Sequence, residues 1–339
     1  MKVCVSSLMP YQAPAASGER PSNPLGPWPT PPAQFEPDLG VRSTYAELDL
    51  LQLADEQGFD WVAVTEHHFL PRLSSAPMVL AGALSQRIRH ARVAVLGPTL
   101  SILNPLKVAE EFATLDNLMA GRLVAGVLRG TPYELRAYNI RPEESRARFE
   151  EGVELMLRAW TSAEPFAWQG RFFQFPVVSI WPGPIQKPHP PLLVSGKSPE
   201  SGSFAATHHL PIGLSFETLD QARLAVEHYR SAAAHAGWTP RPEDVLYRAY
   251  CYVAETDAAA ESLASRSSFG HRSDPGGFFR GCPDTVFAHI RAFHEEAGVG
   301  TVDLLFNDNR GRGIELPYTD SEASLRLFAA EVLPRLHAL

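Results

Sequence analysis

Between Asn104 and Tyr133 the spacing of apolar residues predicts a helix that is followed by a buried strand. The helix has one apolar stripe at steps of three and four residues, formed by Val108, Phe112, Leu115 and Met119. A continuous apolar run at residues 123–127 follows, as is typical of a parallel strand that is covered on both faces. The pattern therefore places Arg129 just beyond the carboxyl end of a strand, where α/β folds bind their ligands.

Short apolar runs alternate with helical patterns along the rest of the chain. We predict strands at residues 3–9, 61–65, 93–100, 123–127, 192–195, 212–215, 245–253 and 302–306. Eight strands that alternate with helices are typical of a parallel barrel, so we expect a (β/α)8 TIM barrel that forms one domain over residues 1–339. A doubly wound open sheet is the alternative, but the strand count and the regular spacing favour the barrel.

Three segments interrupt this alternation. The proline-rich stretch Pro10–Gly40 predicts a long extended loop, an N-terminal insertion, before a helix that Ser43 would cap. Aromatic residues and prolines in Ala163–Pro191 predict an excursion with a small hairpin between strands four and five. Ser262–Gly281 is rich in Ser, Gly and Arg and predicts a mobile loop.

Composition narrows the possible partners and the cellular setting. The formal net charge of −8 argues against a nucleic acid or an acidic membrane surface as the main partner, because both attract basic faces. The three cysteines are scattered and form no CxxC pair, so neither a disulfide framework nor a zinc site is indicated. The first residues lack the layout of a signal peptide, and no apolar run is long enough to span a membrane, so we expect a cytoplasmic protein.

Polar residues follow several of the predicted strands, at the edge where a barrel carries its active site. They are Glu66-His67-His68 after strand two, Arg129-Gly130 after strand four, Ser195 to Ser201 after strand five, and Asn307, Asp308, Asn309 and Arg310 after strand eight. Ser198 and Ser201 form a helix start, and exposed helix amino termini attract phosphate. A plain capping motif and a surface arginine are the simpler explanations, but serines and Arg129 on adjacent strands together predict a phosphate site.

The paired histidines raise the question of a metal. Adjacent histidines point in different directions and no third ligand follows at a useful spacing, so a metal site is not expected. A histidine titrates near neutral pH, and His67 is therefore the candidate proton donor or acceptor. For His68 a structural role is the preferred interpretation.

Several segments, in order along nearly the whole chain, now point to a known family. They are Lys2–Gln12, Gly58–Phe69, Asn104–Glu111, Gly121-Arg122-Leu123, Arg129-Gly130, Ser198–Ser201 and Leu327–Pro334. Together these segments resemble the bacterial-luciferase-like flavin-dependent monooxygenases. The resemblance implies a barrel that binds reduced FMN supplied by a separate flavin reductase. It also implies that a flavin C4a-hydroperoxide, formed with O2, oxygenates a small organic substrate.

The resemblance also implies roles for individual residues. Arg129, Ser198 and Ser201 would hold the flavin phosphate, and Ser195 would lie beside the isoalloxazine ring. His67 matches a luciferase histidine that acts as a base or stabilises the peroxide. Leu96 and Gly97 fall where the family has a non-proline cis peptide against the flavin.

The sequence departs from luciferase at four places. Leu128 replaces the reactive cysteine, so light emission is unsupported, and Lys197 stands where luciferase has glutamate. The Ala13–Gly40 insertion has no luciferase counterpart and is expected to reshape the mouth of the pocket. The Ser262–Gly281 loop corresponds to the mobile lid of luciferase.

Other functions remain open at this point. A relative that transfers hydride with a reduced deazaflavin shares the barrel and the cis-peptide position. A flavin-binding protein without catalytic activity is a second alternative, although the presence of His67 beside the phosphate residues disfavours it. Homodimers are common among such relatives. The sequence does not distinguish aldehyde, sulfonate, amine and ketone substrates.

Overall fold

The computed structural model describes residues 1–11, 28–265, 276–306 and 319–339. Eight parallel strands form a closed barrel in these residues. They are β1 (Lys2–Ser7), β2 (Trp61–Val64), β3 (Arg92–Thr99), β4 (Leu123–Leu128), β7 (Leu192–Ser195), β8 (Ile212–Ser215), β9 (Val245–Val253) and β11 (Thr301–Leu305). The barrel closes because β1 pairs with both β2 and β11, while β9 pairs with both β8 and β11. The predicted barrel is confirmed and the open sheet is wrong.

Helices cover the outside of the barrel and return the chain to the start of the next strand. Their bounds are α1 (Pro37–Glu56), α2 (Pro77–Arg87), α3 (Pro105–Leu118), α4 (Pro132–Ala137), α5 (Pro142–Thr161), α6 (Pro199–Thr207), α7 (Leu219–His235), α8 (Asp257–Ser265), α9 (Pro283–Ala297), α10 (Thr319–Glu331) and α11 (Leu333–His337). Many of them begin with proline, whose missing N–H would have no partner in a first helical turn. Within the described part of the chain, no helix has the length and apolarity needed to cross a membrane.

The predicted apolar stripe of α3 faces the strands. All four of its residues are buried, with Phe112 and Met119 at 0% exposure. Inside the barrel, one cluster of buried side chains comes from the strands. It consists of Cys4, Ala63, Ala94, Leu96, Val124, Leu193 and Leu246. These side chains fill the barrel below the carboxyl ends of the strands, so the site forms above them.

The excursion between β4 and β7 contains the predicted hairpin. Its strands β5 (Phe166–Gln169) and β6 (Gln174–Val178) are antiparallel. Phe173 and Val178 pack against Leu155 and Ala159 of α5 in a small separate cluster. The hairpin therefore rests on the helical layer, outside the barrel.

The predicted start of the first helix is wrong. Helix α1 begins at Pro37, so Ser43 lies inside the helix and does not cap it. Here proline opens a helix instead of prolonging the loop, and Gly40 leaves space for the Phe35 ring, which would lie 2.4 Å from an added Cβ. The part of the insertion between residues 12 and 27 lies outside the described residues.

The predicted Ser262–Gly281 loop is also partly regular. Helix α8 continues to Ser265, and strand β10 (Phe278–Gly281) pairs in parallel with the second half of β9. Strand β9 extends beyond the end of β8, so its free edge there accepts β10. Residues 266–275 lie outside the described part, and the comparison with the luciferase lid stays a prediction.

Candidate functional site

A cavity of about 420 Å³ opens at the carboxyl edge of the barrel, which we call the outer cavity. Five of the predicted site residues line it: His67, Arg129, Ser195, Ser198 and Ser201. They come from the segments after β2, β4 and β7, which converge because the strands are parallel. The volume falls within the range of roughly 300–1,000 Å³ that is typical of small-molecule sites.

A second, smaller cavity of about 110 Å³ lies toward the barrel interior, and we call it the inner cavity. Leu96, Glu217 and Arg248 are among its lining residues. The two cavities share Leu128, Ser195 and Lys197, so they meet at the ends of β4 and β7. Of the two other predicted site residues, Leu96 and Gly97, Leu96 lines the inner cavity.

The predicted phosphate residues lie at one end of the outer cavity. Ser198 is the N-cap of α6: its Oγ accepts a hydrogen bond from Ser201 N at 3.3 Å, and Ser198 N donates to Ser201 Oγ at 3.1 Å. Arg129 has an exposed side chain just after β4. The next residue, Gly130, has a φ of +94°, which a glycine adopts without strain, and an added Cβ would lie 2.4 Å from Thr99 Cγ2. The glycine therefore lets the chain turn directly after the arginine.

A second arginine, which the sequence analysis missed, reaches the same place. Arg146 Nη2 lies 3.4 Å from Ser198 Oγ and 3.6 Å from a carboxylate oxygen of Glu200. Its Nη1 lies 3.9 Å from Glu150 Oε1. Burial raises the pKa of Glu150, and the positive charges of Arg146 and Arg129 oppose that rise. The two arginines therefore bring positive charge to this part of the cavity, and Glu150 and Glu200 offset part of it.

A sequence signal for Arg146 did exist. Helices of a barrel run antiparallel to the strands, so the first turns of α5 lie at the carboxyl edge. Arg146 is the fifth residue of that helix, which begins at Pro142. A basic residue near the start of a helix at this edge is a candidate ligand for an anion.

His67 stands at the wall of the outer cavity, with 26% of its side chain exposed. Its Nδ1 lies 4.0 Å from Glu134 Oε1. Glu134 is held in place because its Oε2 accepts from Thr131 N at 3.0 Å and from Thr131 Oγ1 at 2.6 Å. The carboxylate is 3% exposed, so the histidine lies between a buried negative charge and the cavity.

His68 is enclosed by polar partners. Its Nε2 lies 3.1 Å from Glu66 Oε1, and its Nδ1 lies 3.2 Å from the Tyr138 hydroxyl. Glu66 Oε1 also accepts from Thr99 N at 2.8 Å. Burial raises the pKa of Tyr138, and the nearby Glu66 adds to that rise. The arrangement fits the structural role that we preferred for His68.

The Leu96–Gly97 peptide is cis, as the resemblance implied. Gly97 packs directly on the next strand: a Cβ there would lie 2.1 Å from Gly126 O. The pairing of β3 with β4 shifts register between Leu96 and Thr99, so the strand bulges at the edge of the inner cavity. The role of Leu96 and Gly97 toward a flavin stays a prediction.

Two other parts of the sequence prediction bear on the site. Residues 307–310 lie outside the described residues. The Trp28 ring lies 5.7 Å from the Tyr133 ring and 6.4 Å from the Phe69 ring, so the part of the N-terminal insertion around Trp28 reaches the carboxyl edge of the barrel.

In the described ranges, no group of three or more His, Cys, Asp and Glu residues could hold a metal ion.

The fold and the cavity together define a class: a (β/α)8 barrel with two arginines, helix-capping serines and a histidine in one cavity at its carboxyl edge. The family model for luciferase-like monooxygenases matches residues 30–302. The chain belongs to the luciferase-like monooxygenase family.

Comparisons with individual proteins agree with this family assignment. The crystal structure of monooxygenase RslO1 from Streptomyces bottropensis is 30% identical, covers 99% of both chains and superposes with a TM-score of 0.82. The oxygenase component of the flavin-dependent trigonelline monooxygenase from Acinetobacter baylyi is 27% identical over 64% of this chain and 61% of its own length. The alkanal monooxygenase beta chain from Vibrio harveyi is 30% identical over 49% of this chain and 51% of its own length. The chain thus spans about half to three-fifths of the curated relatives that it matches.

Proposed function

We propose that this protein is the oxygenase of a two-component monooxygenase, which uses reduced FMN from a separate reductase and O2 to oxygenate a small organic substrate. The observation that carries the proposal is the convergence of two arginines and two serines at one end of the outer cavity. The name of the trigonelline relative, an oxygenase component, supports a separate reductase. The family match supports the reaction class.

The residues present suit the phosphate of FMN. Planar guanidinium groups form paired hydrogen bonds with phosphate oxygens, and a helix amino terminus adds free N–H groups and a favourable dipole. Arg129, Arg146, Ser198 and Ser201 supply these elements at one point of the wall. The outer cavity continues from there to Ser195 and meets the inner cavity at Leu128, so a ring system has space beyond the phosphate end.

Bound reduced FMN supplies the two electrons with which O2 gives one oxygen atom to the substrate and one to water. The protein's own groups bind, orient and move protons. We assign proton exchange with the cavity to His67 Nε2, because Nδ1 lies toward Glu134. The buried carboxylate of Glu134 lies 4.0 Å from Nδ1, on the side of the ring away from the proposed proton exchange.

The experiment mixes the purified protein, loaded anaerobically with reduced FMN, with O2 and follows the flavin absorbance. We expect a slow, protein-dependent phase of reoxidation that free reduced FMN lacks. A parallel reaction offers a reduced deazaflavin and a hydride acceptor. Reoxidation at the rate of the free flavin, together with turnover of the reduced deazaflavin, would contradict the proposal and favour hydride transfer.

A further inference from the structure

Glu217 is a buried carboxylate at the wall of the inner cavity, and its hydrogen-bonding capacity is largely unused. The residue is 3% exposed, and it follows β8 directly before α7. Its Oε1 lies 3.0 Å from Lys197 Nζ, whose side chain is 71% exposed, whereas Oε2 has no hydrogen-bond partner in the described part of the chain. A buried acceptor that lacks a partner is costly, so this oxygen suits a ligand that brings a donor.

The backbone holds Glu217 in a fixed position. Ser215 pairs in register with Arg248, and Phe216 N donates to Arg248 O at 3.1 Å. Tyr247 Oη donates to Glu217 O at 2.6 Å. The carboxylate therefore projects from a chain segment that β9 fixes on one side, which favours a preformed site.

Arg248 faces the same cavity from the neighbouring strand. Its Nε donates to Asp303 Oδ2 at 2.6 Å, and its Nη2 donates to Ser6 Oγ at 3.3 Å. Within the described residues these bonds occupy Nε and Nη2, so Nη1 is the nitrogen that remains for a ligand. The inner cavity thus presents an acceptor from Glu217 and a donor from Arg248.

The charges around the inner cavity balance. Lys197 pairs with Glu217, and Arg248 pairs with Asp303, which is 0% exposed. A ligand with a net charge would leave one charge uncompensated in a largely buried place, which is costly. A neutral group that donates and accepts hydrogen bonds fits better. The volume of about 110 Å³ is sufficient for several water molecules, and therefore for an amide or the edge of a ring.

We propose that Glu217 and Arg248 form a recognition site in the inner cavity for a neutral group that carries an N–H donor beside a carbonyl acceptor. Two sources offer this chemistry: the pyrimidine edge of the flavin ring, with its N3–H between two carbonyls, and an amide of the substrate. The flavin source rests on the proposed function, and the substrate source is testable without it.

The first arm of the experiment measures the affinity of FMN and of N3-methyl-FMN, which lacks the donor, by flavin fluorescence. If the flavin edge meets Glu217, the wild-type protein binds FMN roughly 10- to 100-fold more tightly than the methylated form, the range of one hydrogen bond to a charged group. Glu217→Ala should abolish this preference, and Glu217→Gln, which keeps an acceptor, should retain part of it. Asp220→Asn is the matched control, because it removes an exposed carboxylate three residues away. The comparison in the wild type needs no variant, so a folding defect cannot remove the test.

The second arm compares 2-piperidone with cyclohexanone, two six-membered rings of which only the lactam has an N–H donor. Their affinities are measured by ligand-observed NMR, with and without FMN. If the substrate source is correct, the wild-type protein prefers the lactam, and Glu217→Ala loses the preference.

A preference in either arm that depends on Glu217 supports the proposal and identifies the source. Equal affinities within both pairs of ligands in the wild-type protein would overturn it. A wild-type protein that binds no FMN at all would contradict the proposed function instead, and the lactam arm would then decide the inference alone.

Discussion

Arg146 Nη2 and Ser198 Oγ lie 3.4 Å apart, although 52 positions separate them in the chain. The contact joins the second turn of α5 to the cap of α6, which belong to different strand–helix units of the barrel. It extends the predicted phosphate site of Arg129, Ser198 and Ser201 by a second guanidinium. Two arginines on separate elements restrict an anion from two directions.

We expect Arg146→Ala and Arg129→Ala each to weaken FMN binding by about 1.5–3 kcal/mol, because a charge-assisted hydrogen bond to the phosphate is lost. Riboflavin, which has no phosphate, should bind the variants as it binds the wild type. Titration calorimetry with both ligands separates the two effects.

The control for this pair is Arg223→Ala, which removes an exposed arginine on α7, away from the cavity. Unchanged FMN affinity in both site variants, or an equal loss of riboflavin affinity, would show that these arginines do not bind the phosphate.

We expect His67→Ala to slow the protein-dependent phase of flavin reoxidation by about 10²–10⁴-fold, the usual contribution of a general acid or base. FMN affinity should stay close to that of the wild type, because we assign phosphate binding to Arg129, Arg146, Ser198 and Ser201. Rapid-mixing absorbance measures the first quantity and fluorescence titration the second. His235→Ala, an exposed histidine on α7, is the control. An unaltered reoxidation rate with FMN bound would remove His67 from the mechanism.

We expect the hydrogen bonds of Asp55 to make a contribution to the free energy of unfolding that is lost in acid. Its carboxylate accepts from the backbone N–H groups of Arg89, His90 and Ala91, at 2.7, 3.0 and 2.6 Å. Burial raises the pKa of Asp55, but these hydrogen bonds together outweigh burial and lower the pKa below its usual 3.8. The stabilisation is therefore complete above the unfolded pKa of about 3.9 and is lost as the pH falls through the lower folded value.

Asp55→Asn should accordingly reduce the free energy of unfolding by about 1.5–3 kcal/mol at pH 7, and this difference should shrink in acid. Urea unfolding over a pH series measures it. Asp49→Asn, a 62% exposed side chain on the same helix, should cost at most about 1 kcal/mol. A difference for Asp55→Asn that stays constant down to pH 2 would contradict the assignment.

We expect a glycine-to-alanine substitution to have opposite effects on stability at Gly97 and at Gly82. In Gly97→Ala the new Cβ would lie 2.1 Å from Gly126 O, a backbone atom, so we expect a loss of about 1–3 kcal/mol or more. In Gly82→Ala nothing lies within 4 Å, and the residue is inside α2, so we expect a gain of up to about 1 kcal/mol. Thermal unfolding of both variants tests the pair, and equal stabilities would be inconsistent with the close approach of β3 to β4.

The elements that the sequence predicted well are those with local signals at both ends. Strand β7 has the predicted bounds and helix α6 begins after the predicted serine cap, because an apolar run, a serine and a proline follow one another within a few residues. The start of α1 was misplaced because proline both opens helices and extends loops, and the packing of Phe35 on Gly40 distinguishes the two uses. Short β10 depends on the free edge that β9 offers, which no local pattern shows.

The residues of the candidate site also fall into two groups, those that the sequence predicted and those that it did not. Positions directly after strands, such as His67 and Arg129, could be found by counting strands. Arg146 could not be found by that count, because it reaches the outer cavity from a helix. Glu217 does follow a strand, but only its burial and its pairing with Lys197 distinguish it from other polar residues at such positions. For both residues, contacts between distant segments carry the assignment, from Arg146 to Ser198 and from Glu217 to Lys197.

The junction of the two cavities at Leu128, Ser195 and Lys197 has a practical consequence for protein engineering. Glu217 and Arg248 reach the inner cavity from the β8 and β9 side, whereas the arginines of the outer cavity lie on the β4 side and on α5. Libraries that vary the β8 and β9 side can therefore change Glu217 and Arg248 while the arginines and serines of the outer cavity stay unchanged. The barrel thus carries two sets of wall positions that can be mutated independently of each other.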